Sequence, residues 1–166
     1  MVDTDTFRTV MGQFATGVTV VTLPVEPPHG ITVNAFSSVS LDPPLVLVCI
    51  DHETRAYELL AGEDGESVDG YCVNVLTADQ RDLGEHFADI VDLDRDPFEA
   101  DPTRTEVSGA PVFEESLAYA DCTVEAAHEA GDHTIYLGRV GSAAVLDADA
   151  EPVSFYKGEW GTIAGD

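Results

Sequence analysis

The sequence predicts a mainly β protein, an antiparallel barrel carrying a few short helices. Six or seven segments read as strands, against only three short helical stretches. These segments do not alternate as βαβ units, which argues for an antiparallel barrel over a parallel doubly wound sheet. The chain also holds neither G-x-G-x-x-G nor G-x-x-x-x-G-K-[ST], so any nucleotide must be held in another way.

The elements follow in order. Residues 4–16 read as a helix, with Phe7, Val10, Met11 and Phe14 forming one apolar stripe and Gly17 as a stop. Residues 17–23 are a β-branched strand, closed by the Pro-rich turn at 24–30. Residues 31–41 are extended, and Asp42-Pro43-Pro44 breaks them. The run at 45–50 is continuously apolar, as expected of a strand buried on both faces. A short helix fits 52–61, an acidic loop 62–70 and a strand 71–76. Thr77 followed by Gln80 reads as a capping box for a helix over 78–88. Residues 89–111 are rich in Asp, Glu and Pro and read as an irregular loop. Strands return at about 117–128, 133–147 and 152–157. No repeat or linker divides the chain, so residues 1–166 form one domain.

Charge is the unusual feature. The chain carries 32 Asp and Glu against 7 Lys and Arg, a formal net charge of -25, and Lys157 is its one lysine. Such a field repels nucleic acid and anionic membranes as partners. It fits a halophile's protein, whose self-repulsion molar salt screens to about 3 Å. No stretch approaches the roughly 20 apolar residues of a membrane span. The opening MVDTDTFRTV is too acidic and polar for a signal peptide. The expectation is therefore a cytoplasmic protein. Cys49, Cys72 and Cys122 form no C-x-x-C and sit in apolar runs, as buried free thiols do. The five histidines make no ligand cluster, so no metal is expected.

The chemistry concentrates in TVNAFSSVSLDPPLVLVCID, residues 32–51. Small hydroxyl and amide residues on a strand let a flat ligand approach the backbone, although Ser and Thr in strands ordinarily just face solvent. FRTVMGQFATGVTVVT, TVNAFSSVSLDPPLVLVCI, VNVL and Gly131-Asp132-His133 together resemble the flavin reductase-like family, in order from about Phe7 to Trp160. The resemblance implies a Greek-key split barrel that binds FMN or FAD, usually as a homodimer with flavin near the subunit interface. It implies hydride transfer from NADH or NADPH to flavin, which supplies a partner monooxygenase. Two alternatives stay open: a flavoprotein that retains FMN and reduces another small substrate, and a non-enzymatic flavin-binding protein.

Site residues carried over from that resemblance are expectations. Thr32, Val33, Asn34 and Ala35, with Ser37, Ser38, Val39 and Ser40, are expected along the isoalloxazine. For Val33, Val39 and Phe36 the alternative is core packing. Asn74 orders the adjacent loop or touches the flavin. Phe87 lies near the ring or anchors its helix to the core. Thr54 and Arg55 suit the phosphate, Arg55 alternatively making a surface salt bridge. His133 is expected beside the flavin and the incoming nicotinamide, the alternative being a turn histidine. Lys157 and Trp160 match a C-terminal segment near the family's interface. Cys72 stands where the family commonly has an aromatic residue, and the segments at 62–70 and 89–106 are longer or more acidic than usual.

Overall fold

The computed structural model describes residues 1–63, 65 and 67–163. The chain opens with α1 (Thr4–Met11), whose N-cap Asp3 accepts the Thr6 N–H. Then come β1 (Thr16–Gly17), β2 (Thr19–Leu23), β3 (His29–Val33), β4 (Phe36–Leu41) and β5 (Pro44–Asp51). Next are α2 (Arg55–Ala61), β6 (Gly70–Val75), a 3₁₀ turn (Ala78–Gln80), α3 (Arg81–His86) and α4 (Pro97–Ala100). The chain ends with β7 (Thr103–Thr105), β8 (Pro111–Phe113), β9 (Ala118–Ala130), β10 (His133–Val145), β11 (Val153–Tyr156) and β12 (Glu159–Thr162). No helix among the described residues is long and apolar enough to cross a membrane.

Seven strands form one antiparallel sheet in the order β3-β2-β6-β9-β10-β5-β4. Its two edge strands, β3 and β4, are neighbours in the chain, joined by Asn34 and Ala35 alone. Consecutive Cα atoms are about 3.8 Å apart, so so short a link pulls the two edges together. The sheet must curl until they meet, yet no ladder joins β3 to β4. The result is the split barrel that the resemblance implies.

Apolar side chains fill the curl. Val21, Leu23, Val48, Ile50, Tyr71 and Val73 pack in its interior. The other face of β2 supplies Val20 to a second cluster with Leu76, Leu83, Phe113 and Val153, flanked by Phe87 and Trp160. β2 is therefore buried along its whole length.

The structure departs from the sequence reading in four places. The helix expected over 4–16 ends at Met11, because Thr16 and Gly17 pair with Phe155 and Ser154 of β11. Its apolar stripe is exposed: Phe7, Val10, Met11 and Phe14 are each at least half open to solvent. The extended run 31–41 is two strands, broken at Asn34–Ala35. β5 is not buried on both faces; every second residue is only half-buried, and that outer face borders a hollow described below. The segment 89–111 holds α4, β7 and the start of β8, which tertiary hydrogen bonds fix. The Thr22 hydroxyl donates to the Pro111 carbonyl at 2.5 Å, and Asp121 accepts from the Ser108 N–H at 2.8 Å. Of the acidic loop at 62–70, Asp64 and Glu66 lie outside the described residues.

The capping box forms, with the Gln80 side-chain oxygen accepting the Thr77 N–H at 3.2 Å. Asn74 is fully buried. Its amide donates to the Val20 carbonyl at 3.2 Å, and its oxygen accepts the Phe113 N–H at 2.8 Å. This one side chain fastens β8 to β2 and β6. Replacing Asn74 by Ala leaves a buried N–H unpaired, at a cost of about 2 kcal/mol. Denaturant unfolding of Asn74→Ala is expected to show that loss with an unchanged slope; an unchanged midpoint would contradict it.

Candidate active site

The split between β3 and β5 opens into a hollow of about 310 Å³. Its floor and walls are Ile31, Thr32, Val33, Asn34, Ala35, Cys49 and Asp51, and its rim includes Thr54, Phe87, Asp89 and His133. The Cys49 N–H donates to the Ala35 carbonyl at 3.1 Å, which holds the link against β5. A second hollow of about 320 Å³ adjoins it, sharing Ile31, Thr54, Phe87 and Asp89 and adding His29, Glu53, Arg55 and Phe98. Together they make an elongated cleft of the size range that small-molecule sites occupy.

Phe87 caps α3 and forms part of both walls. Its carbonyl accepts the Thr32 N–H at 3.0 Å, and the Thr32 hydroxyl donates to the Gly84 carbonyl at 2.5 Å. Thr32 thus clamps α3 onto β3. Gly30 permits the contact, since a Cβ there would fall 2.8 Å from the Phe87 ring. The ring also meets Phe98 at a centroid distance of 5.4 Å. Phe87 is at once helix anchor and cleft wall.

The far end is built by α2 and β10. Thr54 is the N-cap of α2: its hydroxyl donates to the Asp51 carbonyl at 2.7 Å and accepts the Tyr57 N–H at 3.3 Å. That hydroxyl proton is committed to the cap. Arg55 is half-exposed, pairs with Glu58 at 2.8 Å and borders the second hollow. Burial depresses the pKa of His29 in the same hollow, and the Arg55 charge adds to the effect. His133 begins β10, opposite Asp51 in the register. Its Nδ1 lies 2.7 Å from an oxygen of Asp132. Burial pushes the Cys49 thiol up, which keeps it a protonated wall residue.

The structure brings together Thr32, Val33, Asn34, Ala35, Thr54, Phe87 and His133 on the first hollow and Arg55 on the second. It does not bring Ser37, Ser38, Val39 and Ser40 there. They lie on β4, outside β5 at the sheet edge, with a bulge between Ser38 and Ser40. Ser37, Ser38 and Val39 are exposed. Past the Asn34–Ala35 link the run leaves β3 and pairs along β5 toward Pro44, away from the Cys49 and Asp51 end that lines the cleft. Asn74 is buried elsewhere, as described. The sequence reading missed Cys49, Asp51 and Asp89. Cys49 and Asp51 share a face of β5 by their spacing of two, a signal hidden in an otherwise apolar run. Asp89 holds a left-handed φ of 57°, and nothing local in the sequence marks it.

Known proteins share this architecture. Residues 11–164 match the flavin reductase like domain family. The chain is 38% identical over 161 residues to the reductase subunit HsaB of a flavin-dependent monooxygenase from Mycobacterium tuberculosis, covering 96% of this chain and 82% of that one. It is 38% identical over 164 residues to an NADH-dependent flavin reductase of a Rhodococcus species, covering 94% and 84%. The solved NADH:FAD oxidoreductase SgcE6 of Streptomyces globisporus, in complex with NAD and FAD fragments, superposes with a TM-score of 0.86 at 36% identity, covering 100% and 98%. On the match across 11–164 and these whole-chain likenesses, the chain belongs to the flavin reductase like family.

Proposed function

We propose that the protein transfers a hydride from NADH to FMN or FAD held in the cleft between β3 and β5. The observation that carries this reading is the convergence of the Asn34–Ala35 link, the Phe87 wall and His133 on one hollow. A flat ring seated there meets backbone N–H and C=O groups of a sheet edge, which can bond its polar rim. When bound, flavin supplies the hydride acceptor itself. The chain's residues do the rest. Residues 33–35 seat the ring, Phe87 and Val33 exclude water from one side, and Arg55 meets the phosphate. His133 orients the nicotinamide at the open rim. Asp51, Asp89 and Asp132 stand around that rim, which disfavours the extra phosphate of NADPH and supports NADH. The relatives' names point the same way: one is an NADH-dependent flavin reductase and one a monooxygenase's reductase subunit. The reduced flavin would then pass to a partner monooxygenase in the cytoplasm.

The test is anaerobic stopped-flow reduction of added flavin by NADH. The rate is expected to scale with free flavin, and His133→Ala to bind flavin as wild type does yet reduce it roughly a hundredfold more slowly. NADH oxidation indifferent to added flavin, or equal rates in the folded variant, would overturn the reading.

We also propose a homodimer. Phe7 and Met11 of α1 and Phe14 just after it line a groove of about 650 Å³ with Phe155 and Lys157, and Asn34 borders both this groove and the first hollow. A second copy seated there would cover the exposed stripe and close the cleft beside Asn34. The net charge of -25 sets two like-charged subunits against each other, so association should need screening. Sedimentation is expected to show a dimer in molar KCl that weakens in dilute buffer, with melting temperature rising with salt. Phe14→Glu is expected to be monomeric in both. A dimeric variant, or stability indifferent to salt, would count against the reading.

A further inference from the structure

We propose that Asp132 is the positioning residue of this site, fixing the tautomer of His133 so that Nε2 is presented bare to the nicotinamide carboxamide. The inference rests on the reading of His133 given above. β9 and β10 are joined by Gly131 and Asp132 alone, with Ala130 opposite His133. Gly131 takes a φ of +69°, as the first residue of a two-residue hairpin link of this kind requires. The Asp132 carbonyl accepts the His52 N–H at 3.0 Å. The backbone of Asp132 is thus held from both sides, and its carboxylate reaches His133 Nδ1 at 2.7 Å.

The chemistry of that contact leaves one arrangement. An ionised carboxylate only accepts hydrogen bonds. The His133 hydrogen bond holds the Asp132 carboxyl below its ordinary range, so the pair carries its proton on Nδ1. A neutral imidazole protonated at Nδ1 has its lone pair on Nε2. Nε2 is then an acceptor in the hollow that His133 borders, matched to the N–H donors of a carboxamide.

The pair has little to do with stability. The Asp132 side chain is 91% exposed and that of His133 41%, and exposed pairs contribute little. The charged groups around His133 are Asp132 on its own turn, Asp51 opposite it on β5 and Asp89 after α3. On β9 the nearest titratable residue on its face is His128, opposite Ile135.

The test compares wild type, Asp132→Asn and His133→Ala at fixed salt, each with FMN and NADH. Asparagine keeps the turn, but its amide can donate as well as accept, so the tautomer is no longer fixed. Asp132→Asn is expected to melt with wild type and bind FMN equally. It is expected to slow flavin reduction roughly tenfold at neutral pH. Nitrogen-15 NMR of the imidazole is expected to show the Nδ1–H form in wild type and a mixture in the variant. If His133→Ala is slow while Asp132→Asn matches wild type in rate and imidazole signals, the role of Asp132 is overturned and the site reading stands. If His133→Ala is as fast as wild type, the site reading itself fails.

Discussion

The structure depends on one constraint, the two-residue link Asn34–Ala35 between edge strands that do not pair with each other. A closed barrel would satisfy those edges with a ladder and leave its interior to side chains. Here the link forces the edges together while the ladder is missing. Polar backbone is therefore left beside an apolar wall, and that combination suits a flat ring with polar edges. Cys49 and Asp51 face this opening, which is why the outer face of β5 is only half-buried. The clamp from Thr32 to α3 sets the width of the cleft by fixing Phe87 against Gly30.

Electrostatics work against that site from a distance and for it at close range. Flavin phosphates and dinucleotides are anions, and the chain carries a net charge of -25. Long-range attraction cannot gather them, so binding has to come from short contacts. Arg55 stands at one end of the cleft, while Lys157 lines the neighbouring groove next to Asn34. The scarcity of bases makes these two positions informative where, in a chain of ordinary composition, they would be surface background.

Much of this was legible in the sequence, for identifiable reasons. β2, β5, β6 and the long β9–β10 hairpin are runs of β-branched and apolar residues, and periodicity finds such runs. The capping box at Thr77 and Gln80 is local and forms as read. β7 and β8 are three residues each, below what periodicity resolves, and they exist because Thr22, Asn74 and Asp121 hold them. The stripe on α1 was visible, but amphipathicity does not say what a helix faces, and here it faces away from the core. Within the site, residues 32–35, Thr54, Phe87 and His133 line one hollow. Ser37 to Ser40 do not, because the passage at Asn34–Ala35 from β3 to the outer side of β5 cannot be seen in a run that is extended throughout. Asp132 was visible as part of Gly131-Asp132-His133, but its contact with Nδ1 is a matter of geometry.

The most direct test of the account fills the cleft without disturbing the sheet. Ala35 is exposed, lines the first hollow and uses its backbone carbonyl to hold β5. In Ala35→Trp that hydrogen bond remains while the indole occupies the space assigned to the ring. Flavin titration, followed by fluorescence on protein of wild-type melting temperature, measures the consequence. The account predicts affinity at least roughly a hundredfold weaker, about 2.7 kcal/mol. A folded Ala35→Trp that binds flavin as tightly as wild type would contradict it and place the flavin elsewhere.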